Sequence, residues 1–230
     1  MNVFGVKSVP FVSWSSAHPL NFKPRLTTLL LLSLGLMLFG LGEALLISST
    51  LGVSPWTVLA QGLSLVSGLS IGAATFVISL LVLLLWLPLR QAPGLGTLLN
   101  VVIIATALEF TLPLLSVSES VWIRLLQVVA GIFLVGLGSG LYLMAHLGTG
   151  PRDGLMTGLQ RLTDLPISLV RTGLEIGVVV VGWVLGGTVG LGTLLFALGI
   201  GPSVSLGISL VQMLSDRSST GAKVGQDPKR

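Results

Sequence analysis

The residues best suited to do chemistry in this chain are charged side chains set among apolar neighbours: Glu43, Glu109, Arg152, Asp153, Arg171 and Glu175. Arg171 and Glu175 stand four apart, so on a helix they share a face and can pair. The pair suits a coupling carboxylate or ion-binding face, and equally a salt bridge that locks two halves of a molecule together. Arg152 and Asp153 follow Gly150-Pro151, where proline suits the first turn of a helix. The free N–H groups and positive potential of such a start favour an anion, which Arg152 would reinforce. A phosphate or carboxylate site and a plain helix cap both fit. Ser54-Pro55 begins a similar helix in the first half of the chain, with serine in the capping position. Glu43 and Glu109 have no partner nearby in sequence and are expected to face the interior of a bundle, either carrying protons or held in a structural hydrogen bond.

Other chemistries lack their parts. With no cysteine and only His18 and His146, neither thiolate chemistry nor a metal centre is expected. No cofactor is expected either. Ser139 and His146 lie seven apart on one helix, ~10 Å along it, too far for a catalytic pair unless another serine packs nearby. The glycines at 136, 138 and 140, and at 186, 187, 190 and 192, follow no strand, so they are read as helix-packing positions and not as a nucleotide cradle. No convergent catalytic set appears, and the chain is not expected to be an enzyme.

The elements that hold these residues are membrane helices. Of 230 residues, 52% are hydrophobic and 9% charged, and the mean hydropathy is +0.99. A soluble domain has about a quarter of its residues charged, so this chain cannot cover a water-facing exterior. Residues 44–89, 125–151 and 176–215 carry no charge at all. About 20 apolar residues cross the hydrocarbon core, which predicts spans at 26–48, 71–89, 95–115, 122–146, 167–186 and 190–213. Two short helices, from Pro55 to about Val66 and from Pro151 to about Leu162, are too short to cross and are read as re-entrant or interfacial. Pro202 is expected to kink the last span. Residues 1–25 are read as a cytoplasmic arm and 214–230 as a disordered cytoplasmic tail. The sequence pI near 10.1 would suit nucleic acid in a soluble protein. Here all four lysines sit in those two tails. Basic residues at the arm, at Arg90, between Arg152 and Arg171, and in the tail put both termini in the cytoplasm. Arg124 is the exception. Trp86, Trp122 and Trp183 fall near expected interfaces, as an aromatic belt requires.

Shifted by 96 residues, the sequence overlays on itself without a gap. Gly35, Gly40, Gly42, Leu51-Gly52, Pro55, Gly62-Leu63 and Gly94-Leu-Gly-Thr97 meet Gly131, Gly136, Gly138, Leu147-Gly148, Pro151, Gly158-Leu159 and Gly190-Leu-Gly-Thr193. The first copy covers 26–115 and the second 122–213. Three spans per copy is an odd number, so the second copy enters the membrane from the opposite side. The expected fold is therefore an all-α membrane protein of six spans in a 3+3 inverted repeat, each half with one half-helix. Such folds place a substrate or ion site near the midplane at the repeat interface.

The pattern Leu51-Gly52-x-Ser54-Pro55-Trp56, the Gly94-Leu-Gly-Thr97 helix start with Asn100, and Gly148-x-Gly150-Pro151-Arg152-Asp153-Gly154 resemble the YczE/YyaS/YitT family of bacterial membrane proteins, most closely its YczE-like branch. The resemblance spans roughly residues 26–213. It implies a multi-pass protein of the bacterial cytoplasmic membrane and names no activity. That branch tends to carry an aspartate after both the Pro-Trp and Pro-Arg pairs; Asp153 fits, whereas Thr57 takes the first position.

Two functions are carried forward. One is a transporter- or permease-like protein for a small solute, anionic in one version, with or without a coupling ion. The other is a non-transporting membrane partner that supports another enzyme or assembly. The partners expected are the lipid bilayer, such a solute or ion, and a second copy or membrane protein; nucleic acid is not among them.

Overall fold

A computed structural model describes residues 9–224. Among them the chain forms eight α-helices and no strand: α1 Leu26–Ser49, α2 Pro55–Ser67, α3 Ile71–Trp86, α4 Leu95–Thr111, α5 Val121–Met144, α6 Pro151–Thr163, α7 Ile167–Val184 and α8 Leu191–Val224. Local chemistry sets most of these limits. α2 and α6 each have proline in the first turn, after Ser54 and Gly150 in extended conformation. Thr50, Gly68 and Asp164 end α1, α2 and α6 in the left-handed region. Ser70 caps α3 by accepting from the Ala73 N–H at 3.1 Å.

Five helices are long and apolar enough to cross a bilayer alone, and the number rises to six if α2 and α3, bent by 113° at the break between them, count as one span. The expected span 71–89 is shorter than predicted. α3 stops at Trp86 before Leu87-Pro88, and its 16 residues reach only about 24 Å. At the other end of the chain α8 contains Pro202 and continues to Val224, so residues 214–224 are helical where a disordered tail is expected. Residues 225–230 and Lys7 lie outside the described residues.

α1 and α5 form the central pair. Gly35 meets Gly138 and Gly42 meets Gly131, so the helices run antiparallel. A Cβ added at Gly35 or Gly42 would fall 2.8 or 2.6 Å from the facing carbonyl oxygen. Lipid tails are as apolar as leucine, so burial alone does not drive helices together in a membrane; close backbone approach and dispersion do. Leu32, Leu36, Leu46, Val128 and Val135 fill the space around this contact. Outside it the packing is inverted relative to a soluble protein, with Leu80, Leu81, Leu84, Val180, Val184, Leu194 and Leu198 exposed. Those faces suit hydrocarbon.

Contacts recur at a spacing of 96 residues. The Gly96 N–H donates to Leu147 O at 2.7 Å, and the Gly192 N–H donates to Leu51 O at 2.7 Å. Gly94 N–H meets Thr97 Oγ1 at 3.2 Å, and Gly190 N–H meets Thr193 Oγ1 at 3.3 Å. Positive φ angles occur in matching pairs: Thr50 and His146, Gly52 and Gly148, Gly68 and Asp164, Arg90 and Gly186. Gly52 and Gly148, at +113° and +109°, also lie against the backbone of Gly190 and Gly94, so a side chain there would meet both strain and overlap. Each short helix packs on the far half of the chain, α2 against α7 and α6 against α3.

The arm crosses one end of the bundle. Ser16 N–H donates to Ala145 O at 3.0 Å, and Thr28 Oγ1 donates to Trp14 O at 2.5 Å. His146 stacks on Phe11 with 3.9 Å between ring centroids.

Candidate functional site

α2 and α6 begin at the walls of one cavity of about 320 Å³. Ser54, Pro55 and Trp56 come from the first start, and Gly150, Pro151, Arg152 and Asp153 from the second. Arg171 and Glu175 reach it from α7, Tyr142 and Ser139 from α5, and Asn100 from α4. Arg152, Asp153, Arg171 and Glu175, separate in the sequence, thus converge. The remaining wall is apolar and includes Phe39, Val135 and Phe196. An apolar cleft with a few convergent polar groups has the make-up of a small-molecule site.

The start of α6 is held from three sides. Trp86 Nε1 donates to Pro151 O at 2.9 Å. Thr97 Oγ1 donates to Thr149 O at 2.6 Å. Tyr142 Oη donates to Asp153 Oδ2 at 2.9 Å. Arg152 lies over the Trp56 ring, 5.4 Å from its centroid, a cation–π contact. Positions 56 and 152 correspond at the 96-residue spacing, so the two copies touch each other here through unlike residues. Arg171 Nε donates to Glu175 Oε1 at 2.9 Å, and Arg171 is the more exposed of the two. That pair is internally neutral. Arg152 and the two helix starts are the features of the cavity that attract an anion, and the Asp153 carboxyl group beside them, which accepts from Tyr142, works against that attraction.

Glu43 is fully buried, one layer behind the cavity wall. Ser54 Oγ lies 2.9 Å from each of its carboxyl oxygens, and Thr57 Oγ1 lies 2.8 Å from Oε2. The expectation of an inward-facing Glu43 fits this placement. Glu109 differs: it is exposed on α4 and accepts a hydrogen bond from Ser70 Oγ at 2.5 Å, away from the cavity. It sits near the end of α4, where its carboxyl reaches the polar start of α3 instead of the bundle interior. Trp86 is likewise corrected. It is buried against α6 instead of lying in an interfacial belt, whereas Trp122 and Trp183 are exposed. Ser139 lines the cavity while His146 bonds Pro10 O at 3.3 Å outside it. Among the described residues no group of three or more His, Asp and Glu side chains is placed to hold a metal ion.

Sequence reasoning did not single out Tyr142 or Trp56 as site residues. Tyr142 is the sole tyrosine of the chain, and it stands in the uncharged stretch 125–151. A lone phenol in such a place was the available signal. Trp56 corresponds to Arg152 in the duplication, which is a second one.

Residues 26–208 match a family described as "Family of unknown function (DUF6198)". The chain belongs to this family. It is 41% identical over 209 residues to an "Uncharacterized protein" of Haemophilus influenzae, covering 91% of this chain and 95% of that one. It is 34% identical over 169 residues to the "Uncharacterized membrane protein YczE" of Bacillus subtilis, covering 71% of this chain and 77% of the relative. A third relative, the "Uncharacterized protein YyaS" of the same organism, is 31% identical over 168 residues and 83% of its length. No solved structure matches. Together with the apolar helices, these relatives identify a YczE-like membrane protein in contact with the lipid bilayer.

Proposed function

We propose that this protein is a transporter- or permease-like protein of the bacterial cytoplasmic membrane, and that it binds a small solute with an anionic group between two inverted three-span repeats. The convergence of both half-helix starts and Arg152 on one cavity carries this reading. The antiparallel α1–α5 pair and the contacts that recur 96 residues apart support an axis lying in the membrane plane. The distribution of basic residues supports cytoplasmic termini. In this reading the solute's anion meets the Arg152 guanidinium and the free N–H groups at the helix starts, while Phe39, Val135 and Phe196 take its apolar part. Binding and passage are the activity, with no covalent step.

Protein in liposomes, offered a panel of small carboxylates, phosphates, zwitterions and cations, is expected to take up a subset of the anion-bearing solutes. Arg152→Gln should lower that uptake at least tenfold, the loss of one charge-assisted contact worth about 1.5–3 kcal/mol. If folded protein moves nothing in the panel, and cross-linking in cells finds one stoichiometric membrane partner, the supporting role replaces transport.

A further inference from the structure

The oxygen cluster behind the cavity wall has too few protons if Glu43 is ionised. Its contacts are Ser54 Oγ to Glu43 Oε1 and Oε2 at 2.9 Å, Ser54 Oγ to Thr57 Oγ1 at 3.0 Å, and Thr57 Oγ1 to Glu43 Oε2 at 2.8 Å. Each hydroxyl supplies one proton, and a carboxylate supplies none. With two protons both hydroxyls point at the carboxylate, and the short Ser54–Thr57 approach sets two acceptor lone pairs against each other. A third proton on Glu43 closes a ring. Glu43 Oε1–H donates to Ser54 Oγ, Ser54 O–H donates to Thr57 Oγ1, and Thr57 O–H donates to Glu43 Oε2. Every proton then has an acceptor, and no net charge is buried in a site with 0% exposure.

We infer that Glu43 is a proton-binding site: it is carried as the neutral carboxylic acid within this ring, and it exchanges its proton with the cavity through Ser54. Ser54 is the member of the ring that lines the cavity. On release the Glu43 O–H breaks and its proton passes to Ser54 Oγ, while Ser54's own proton passes to a cavity water. The remaining carboxylate then accepts from Ser54 and Thr57, and the Ser54–Thr57 bond is lost. Of the charged and titratable groups, Arg152 of α6 acts on Glu43, Tyr142, Asp153, Arg171 and Glu175 line the cavity beyond Ser54, and Arg124 and Glu109 stand on α5 and α4, which pack on α1; α2 presents none. Arg124 is engaged at the end of α1, donating to Ser49 O at 2.6 Å and to Thr50. Arg152 is the cation that acts on Glu43. A negative Glu43 therefore competes with an anionic solute for Arg152, and a protonated one leaves it free. Proton and anion favour each other's binding by linkage, a consequence that rests on the function proposed above; the proton site itself does not.

Infrared spectroscopy of the protein in lipid tests the site without any solute. A carboxylic-acid carbonyl band is expected at neutral pH, shifted in D2O, bleached as the pH is raised, and absent in Glu43→Gln. The carboxamide can donate to Ser54 and accept from Thr57, so Glu43→Gln should melt within about 2 °C of the native protein, whereas Glu43→Ala should fall by about 4 °C or more. In Ser54→Ala or Thr57→Ala, which keep the acid, the band should move in frequency, because each substitution removes a hydrogen-bond partner of the carboxyl group. The inference is overturned if no such band exists at neutral pH, if it survives unchanged in Glu43→Gln, or if it neither exchanges in D2O nor bleaches while the protein stays folded. A band that behaves as expected in a protein that moves no solute would sink the transport reading and leave the proton site standing.

Discussion

Arg152 carries a delocalised charge on a planar group that rests on Trp56, and Asp153 next to it is fixed by Tyr142. Residue by residue, this is how a charged start of a helix is kept in one geometry inside an apolar bundle. Tyr142→Phe removes the hydroxyl that donates to Asp153 Oδ2. A hydrogen bond to a charged group contributes about 1.5–3 kcal/mol, so this variant should show a lower melting midpoint in detergent and weaker solute uptake in liposomes. An unchanged midpoint would mean that water replaces the phenol at no cost. The residue scale was the least legible from sequence. Arg171 and Glu175 could be paired from their spacing alone. Glu43 and Glu109 looked equivalent there, yet one is enclosed by Ser54 and Thr57 and the other is exposed beside Ser70. Which side of a helix faces protein depends on neighbours that periodicity cannot identify when every face is apolar.

The helices α2 and α6 are the elements that build the cavity, and each depends on a close fit with the opposite half. Gly154 of α6 packs under the ring of Trp86 from α3, and a Cβ at Gly154 would overlap that ring. At the corresponding places in the other half, Gly182 of α7 packs against Val58 of α2, so the large and small residues have changed sides. Gly154→Ala is expected to destabilise the protein by about 1–3 kcal/mol through overpacking, seen as a lower thermal midpoint. Combining it with Trp86→Leu should recover part of that loss, because the ring is what the methyl meets. Additive losses in the double variant would refute this account of the α3–α6 contact. The helix limits themselves were legible. Ser54-Pro55, Gly150-Pro151 and the glycines that follow act through local backbone preferences, and the predicted starts at Pro55 and Pro151 match α2 and α6. Trp86 is buried although it lies near a span end, because that place in the sequence says nothing about what packs there.

For the whole molecule, the proposed inverted repeat makes a prediction that needs no solute. The chain has no cysteine, so single cysteines can be placed freely. Ser67 and Thr163 end the two short helices and are 96 residues apart. With a two-fold axis in the membrane plane, a membrane-impermeant thiol reagent added outside intact cells should label Ser67→Cys and spare Thr163→Cys until the membrane is opened. Labelling of both from one side would reject the inverted repeat. The antiparallel glycine contact joins α1 and α5 closely, and Gly42→Leu, which forces those backbones apart, should abolish the folded state in detergent.

The sequence by itself determined that this is a helical membrane protein with a duplicated plan and helix starts at Pro55 and Pro151. Those properties follow from composition, from the length of apolar runs and from local backbone chemistry. Tertiary structure alone decided that Arg152, Asp153, Arg171 and Glu175 share one cavity, that Trp56 and Arg152 meet across the two copies, and that Glu43 completes an oxygen ring with Ser54 and Thr57. The physical reason is that nearly every helix face in this chain is apolar. Hydropathy then marks which segments enter the membrane, while the close approach of small residues selects which faces turn toward each other.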